Sequence, residues 1–159
     1  MLTPGPTHIS ACKRVSEEVR RATRKANDAA KNSDPICVYE ENNFYRAIAA
    51  LSVYDTLISI PVAGGVGRSP LDGPIVNTKD GGMILGENDA ASYLFRKNAS
   101  IVSFTDVAGI SNAMEKAVDE SPEIRSAQAT AIQDIVSSLD PAATIHQIIS
   151  ELHEASNSQ

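Results

Sequence analysis

The residues whose types and spacing could do chemistry are concentrated in Pro61-Val62-Ala63-Gly64-Gly65-Val66-Gly67-Arg68-Ser69-Pro70-Leu71-Asp72. Gly64, Gly65 and Gly67 let the backbone turn tightly and bring its N–H groups close to an anion. Arg68 adds a guanidinium that could grip a phosphate through charge-assisted hydrogen bonds. Two phosphate-binding signatures can be tested here. The dinucleotide pattern G-x-G-x-x-G starts at Gly65 and Gly67 but meets Pro70 where its third glycine belongs. The P-loop pattern G-x-x-x-x-G-K-[ST] would need Gly at Val62 and Lys at Arg68, and it too runs into Pro70. Neither signature is complete, so the stretch reads either as a loop open to an anion or as a plain glycine turn.

Other reactive side chains form no constellation. His146 and His153 are seven apart on one helical face, but no carboxylate or Cys completes a ligand set, so no metal site is expected. Cys12 and Cys37 lack a C-x-x-C partner, and Cys37 sits in an apolar stretch that suggests a buried strand. Asn98-Ala99-Ser100 spells a glycosylation sequon that a chain without a secretory signal would not use. No Ser-His-Asp set or carboxylate pair assembles. No catalytic residue and no cofactor are therefore assigned.

Composition bounds the classes. With 159 residues, 42% hydrophobic, 21% charged and no Trp, the chain is neither collagenous, coiled-coil nor wholly disordered. The start, MLTPGPTHIS, has no apolar stretch behind a basic segment, and no apolar run approaches the roughly 20 residues of a membrane span. Two cysteines fit a reducing compartment, and a cytoplasmic protein without membrane contact is expected. Charge is uneven. Seven of the 14 Lys and Arg residues (Lys13, Arg14, Arg20, Arg21, Arg24, Lys25 and Lys31) fall in the first 31 positions, opposed by Glu17, Glu18 and Asp28. The chain as a whole is nevertheless acidic at −6, and no aromatic residue lies among those bases to stack on a nucleobase. Nucleic acid is therefore not the expected partner.

The elements that must position the glycine loop are an alternation of strands and helices. Residues 10–32 read as a helix with Ser10 as N-cap and Val15, Val19, Ala22, Ala26 and Ala29 on one face, broken by Asn32-Ser33-Asp34-Pro35. Ile36–Tyr39 reads as a buried strand, and 43–54 as a helix turning Phe44, Ile48 and Leu51 inward. Residues 56–60, 82–85 and 99–104 read as further strands. Three helices close the chain. The first is capped at Thr105 or Asp106, the second opens on Pro122 and the third on Pro141. The third carries the apolar stripe Ile145, Ile148, Ile149 and Leu152, which would make sense packed on something else. The fold class is α/β: a Rossmann-like three-layer sandwich with a short parallel sheet of about four strands and C-terminal helices. The expected organisation is a flexible segment 1–9, one domain over 10–155 and a tail 156–159. In such a sheet a ligand sits beyond the carboxyl ends of the strands, where the glycine loop lies.

The order of segments resembles the C-terminal part of the trehalose-6-phosphate synthase family, retaining glycosyltransferases of two Rossmann-like domains (GT-B type). The likeness starts at Glu18-Val19 through Asn27, then Pro35-Ile36-Cys37-Val38 and Asn43-Phe44-Tyr45-Arg46. Leu51-Ser52-Val53-Tyr54-Asp55-Thr56-Leu57-Ile58-Ser59-Ile60-Pro61-Val62 is similar to the family's L-Y-x-A-A-D-V-A-L-V-T-P-L. Gly82–Ala90 and Ala99–Val118 keep the spacing of its later blocks. The likeness covers residues from about Thr7 to His153, and its strength is colinearity.

That resemblance implies a donor-binding domain for a nucleotide sugar (UDP- or GDP-hexose), with transfer of the hexose to a sugar phosphate in trehalose biosynthesis. The donor-binding residues it implies are Gly64, Gly65, Val66, Gly67, Arg68 and Asp72. They align with the family's D-G-M-N-L-V-x-x-E. Only Gly65 is kept outright, Asp72 is a shortened Glu, and Gly64 replaces the sugar-contacting Asp. Losing one such buried contact costs about 1–3 kcal/mol. The family's phosphate-gripping Arg and Lys, and its acceptor domain, precede the aligned region. The chain is thus expected to be inactive alone, completed by an acceptor-type domain or by self-association. The alternative is a non-catalytic nucleotide-sugar-binding or scaffold domain that pairs with another protein.

Overall fold

The computed structural model describes residues 9–30, 35–65 and 67–157. The expectations for segment 1–8, the break at Asn32-Ser33-Asp34, Val66 and the last two residues lie outside them. The described residues fall into two compact units divided between Ala47 and Ile48.

The first unit holds α1 (Ser10–Ala29) and the start of α2 (Phe44–Leu51). Ile9, not Ser10, is the N-cap residue of α1, and no side chain caps it. The expected strand Ile36–Tyr39 is not formed. Its backbone is satisfied by a side chain instead: the Asn27 amide donates to the Ile36 carbonyl at 2.9 Å and accepts from the Ile36 N–H at 3.0 Å. A strand needs a neighbouring strand for those groups; here one Asn imitates a single step of it. Cys37 is accordingly exposed rather than buried. Phe44 is also exposed, edge-on to Tyr45 with 5.9 Å between ring centroids. Arg20 pairs with Glu40, whose carboxyl is held below the usual carboxylate range chiefly by the Ser16 hydroxyl and then by Arg20.

The second unit is built on a parallel sheet of three strands, β1 (Thr56–Ser59), β2 (Gly82–Gly86) and β3 (Ser100–Val102), in the order β1-β2-β3. Its helices are α3 (Arg68–Val76), α4 (Ala91–Phe95), α5 (Val107–Asp119), α6 (Pro122–Ser138) and α7 (Pro141–Asn157). The α/β, Rossmann-like reading of the sequence describes this unit; the sheet has three strands because 36–39 does not join it. Strand alternation puts Leu57, Met83, Leu85 and Ile101 on one face. There they pack with Leu71 of α3, Ala91 and Phe95 of α4, and Ile132, Ile135 and Val136 of α6. Helix α5 lies along β2 and β3.

Two helices begin as the sequence dictates. Asp106 caps α5 by accepting from the Gly109 N–H at 2.9 Å, and Ser121 with Pro122 at the first position starts α6. Helix α3 forms where a loop was expected, although it contains Pro70, Gly73 and Pro74. Packing overrides propensity here. A Cβ on Gly73 would sit 3.2–3.4 Å from Leu57, Tyr54 and Leu51. The Gln133 amide donates to the Pro74 carbonyl at 3.0 Å.

Candidate functional site

β1, β2 and β3 end at Ser59, Gly86 and Val102, and three loops meet beyond them. The chain leaving β1 can cross the end of β2 because Gly86 has no side chain: a Cβ there would lie 3.1 Å from the Ile60 Cα. The loop after β1 is then tied to the loop after β2. The Asn88 amide donates to the Val62 carbonyl at 2.8 Å, and Gly64 forms a parallel β-bridge with Asp89. The glycine loop is thus held in place by two contacts from one neighbouring turn.

Gly64, Gly65 and Gly67 all lie in this loop, between β1 and α3. Among the described residues no glycine has a positive φ; the left-handed position is Asp80, at 51°. The loop glycines therefore supply open space rather than unusual backbone angles, and a Cβ on Gly65 would meet nothing within 4 Å. Gly67 is the N-cap residue of α3. It has no side chain to satisfy the first-turn N–H groups, and Pro70 contributes none. The N–H groups of Arg68, Ser69 and Leu71 are the donors that an α-helix leaves unpaired at this end. Such donors favour an anion.

Arg68 and Asp72 are brought together, one turn apart on α3, with Nε 3.0 Å from Oδ2. The guanidinium is 82% exposed, so it can swing away from Asp72 toward the loop at small cost. The sequence reading missed Asp89, which is 1% exposed. Its carboxylate accepts from the Ser59 hydroxyl at 2.7 Å and from the Ala91 N–H at 2.9 Å. Beside it, the Glu87 carboxylate accepts from the Ser103 hydroxyl at 2.6 Å, and Ser103 lies 3.2 Å from the Thr105 hydroxyl. The Glu87-Asn88-Asp89-Ala90 run, directly after an apolar strand, was the available signal: a carboxylate there stands at the carboxyl edge of the sheet.

The remaining candidates lie apart from this edge. His146 and His153 are exposed on α7. Among the described residues no group of three or more His, Cys, Asp or Glu could hold a metal ion. No helix among them is long and apolar enough to cross a membrane.

No family model matches the chain, and no curated protein matches it in sequence. Solved structures do match. An α,α-trehalose-6-phosphate synthase from Burkholderia multivorans is similar with a TM-score of 0.84 at 16% identity, over 96% of this chain and 34% of that one. A trehalose-6-phosphate structure from E. coli, bound with UDP-2-fluoro glucose, gives 0.83 at 16% identity over 93% and 34%. The N-terminal domain of Candida albicans trehalose-6-phosphate phosphatase gives 0.79 at 19% identity over 93% and 32%. The chain spans about a third of the length of each. The resemblance read from the order of segments is borne out by the fold, which is the Rossmann-like fold found in trehalose-6-phosphate synthases.

Proposed function

We propose that this chain is a glycosyltransferase-type domain that binds a nucleotide sugar at the carboxyl edge of its sheet and does not transfer the sugar by itself. The observation that carries this is the loop between β1 and α3. It is fixed by Asn88 and Asp89, open at Gly65, and followed by a helix start whose N–H groups have no capping side chain. A diphosphate is the kind of group such an edge accepts. Gly64, Gly65, Val66, Gly67, Arg68 and Asp72 are the proposed donor contacts. Transfer is a different matter, because the carboxylates of this edge are engaged: Glu87 by Ser103, Asp89 by Ser59 and Ala91, and Asp72 by Arg68. Where the fold likeness extends to function, the donor is a UDP- or GDP-hexose, the setting is cytoplasmic trehalose biosynthesis, and an acceptor-type domain completes the site.

Titration of the isotope-labelled chain with UDP, GDP and UDP-glucose, followed by amide NMR, tests the reading. Saturable shifts at Gly64, Gly65, Gly67 and Arg68, without turnover of UDP-glucose, are expected. An unchanged spectrum at millimolar ligand would overturn it.

A second reading is favoured by α7, where Ile145, Ile148, Ile149 and Leu152 are 46–63% exposed. Four aliphatic residues on one exposed face suit a domain that pairs with another protein or with its own copy. Light scattering of the chain alone separates those cases: a dimer that dissociates on Ile148→Glu supports self-pairing, and a monomer directs the search to a partner.

A further inference from the structure

The free edge of β3 and the facing side of α5 enclose a groove of about 390 Å³. Its floor and one wall are the whole of β3 with Ser103; the other wall is Asp106, Gly109, Asn112, Ala113 and Lys116. Those α5 positions follow one helical stripe, and the small residues Gly109 and Ala113 in it leave the groove open.

The backbone of β3 is half used. Val102 turns its carbonyl to β2, where it accepts from the Glu87 N–H at 2.9 Å. Main-chain groups alternate sides along a strand, so the N–H and C=O of Ile101 point away from β2, along the groove. Ile101 is the residue of this edge that can take a further strand. The groove is also electrically polar. β3 runs toward Ser103, and α5 runs back from Asp106 to Lys116. The Ser103 end therefore carries the Asp106 and Glu87 carboxylates and the Ser100 end the Lys116 ammonium. Among the described residues Lys116 has no carboxylate within 4.0 Å.

We propose that this groove binds an extended segment of a partner protein as a fourth strand, antiparallel to β3, with an acidic side chain at its C-terminal end against Lys116. Two main-chain hydrogen bonds to Ile101 give the pairing. The charges fix its direction: a carboxylate at the Ser103 end would meet Asp106 and Glu87, and at the Ser100 end it meets Lys116. The three residues of β3 span about 10 Å, so the recognised segment is short. This surface is separate from the loop between β1 and α3, and the proposal stands whether or not a nucleotide binds there.

The test uses the full chain and two N-acetylated peptides of alternating Val and Thr, one ending in two Glu and the other in two Lys. Amide NMR and hydrogen exchange are the readouts. The acidic peptide is expected to shift Ile101, Ser103 and Lys116 saturably and to slow exchange of the Ile101 N–H, and the basic peptide to leave them unchanged. Lys116→Glu, on the surface, is expected to weaken the acidic peptide about fivefold, the scale of an exposed charge pair. Ala113→Phe fills the groove and is expected to abolish binding. An Ile101 N–H that stays unprotected at millimolar acidic peptide, or equal binding of both peptides, overturns the proposal.

Discussion

The Ser59 hydroxyl donates to the Asp89 carboxylate at 2.7 Å, joining the end of β1 to the turn after β2 across 30 positions of sequence. The other Asp89 oxygen accepts from the Ala91 N–H at 2.9 Å and so starts α4. One buried carboxylate therefore fixes both the strand end that feeds the glycine loop and the helix behind it.

Asp89→Ala strands both donors in a buried site, each at a cost of about 1–3 kcal/mol, and a total loss of about 2–4 kcal/mol is expected. Asp89→Asn can keep both contacts if its oxygen faces Ala91 and Ser59 turns to accept from its NH2, so a loss nearer 1 kcal/mol is expected. The chain has no Trp, and urea unfolding followed by circular dichroism is the suitable measurement. Equal losses for the two variants would mean that side-chain volume, not hydrogen bonding, holds this turn.

Arg68 and Asp72 separate stability from binding. Their pair is exposed on the arginine side, and breaking it is expected to change stability by no more than about 0.5 kcal/mol. For binding, Asp72 competes with phosphate for the guanidinium. Asp72→Ala is expected to tighten UDP about threefold, and Arg68→Ala to weaken it by a similar factor. Calorimetric titration of both variants is the check. Weaker UDP binding by Asp72→Ala would place Asp72 itself against the ligand.

Tyr54 gives the chain a specific alkaline limit. Burial pushes its hydroxyl up to about 12, while an unfolded tyrosine titrates near 10. The folded state then holds a proton that the unfolded state releases, so the contribution is complete below about pH 10 and is lost as pH rises toward 12. The midpoint of urea unfolding is expected to fall over that interval in the parent chain and to fall less in Tyr54→Phe. Parallel curves for the two would show that this phenol does not control the loss.

The elements legible in the sequence were those with strong local signals. Asp106 and Pro122 mark helix starts without help from the rest of the fold, and the β-branched runs at β1, β2 and β3 lie in the strands they suggest. Ile36–Tyr39 failed because a strand exists only beside another strand, and the Asn27 amide takes up its backbone groups first. Helix α3 was hidden because Pro70, Gly73 and Pro74 all argue against a helix locally, while the reason for Gly73 is the closeness of Leu57, Tyr54 and Leu51. In the site, the glycines and Arg68 announce themselves by type. Asp89 does not, since its role depends on Ser59, a residue that no local pattern links to it.

Gly109 inverts an ordinary rule. Gly→Ala inside a helix gains about 1 kcal/mol, but a Cβ on Gly109 would lie 2.4 Å from Oδ2 of Asp106, the carboxylate that caps the same turn. Gly109→Ala must therefore displace the cap, whose loss costs about 1 kcal/mol, and no net gain in stability is expected. In Asp106→Ala the obstructing carboxylate is gone. There, adding Gly109→Ala is expected to recover about 1 kcal/mol, so the two substitutions couple by about that amount. Urea unfolding of the four chains measures the coupling directly. If Gly109→Ala gains the same 1 kcal/mol in both backgrounds, the Asp106 side chain does not hold the first turn of α5, and the acidic end of the β3 groove is free to move with it.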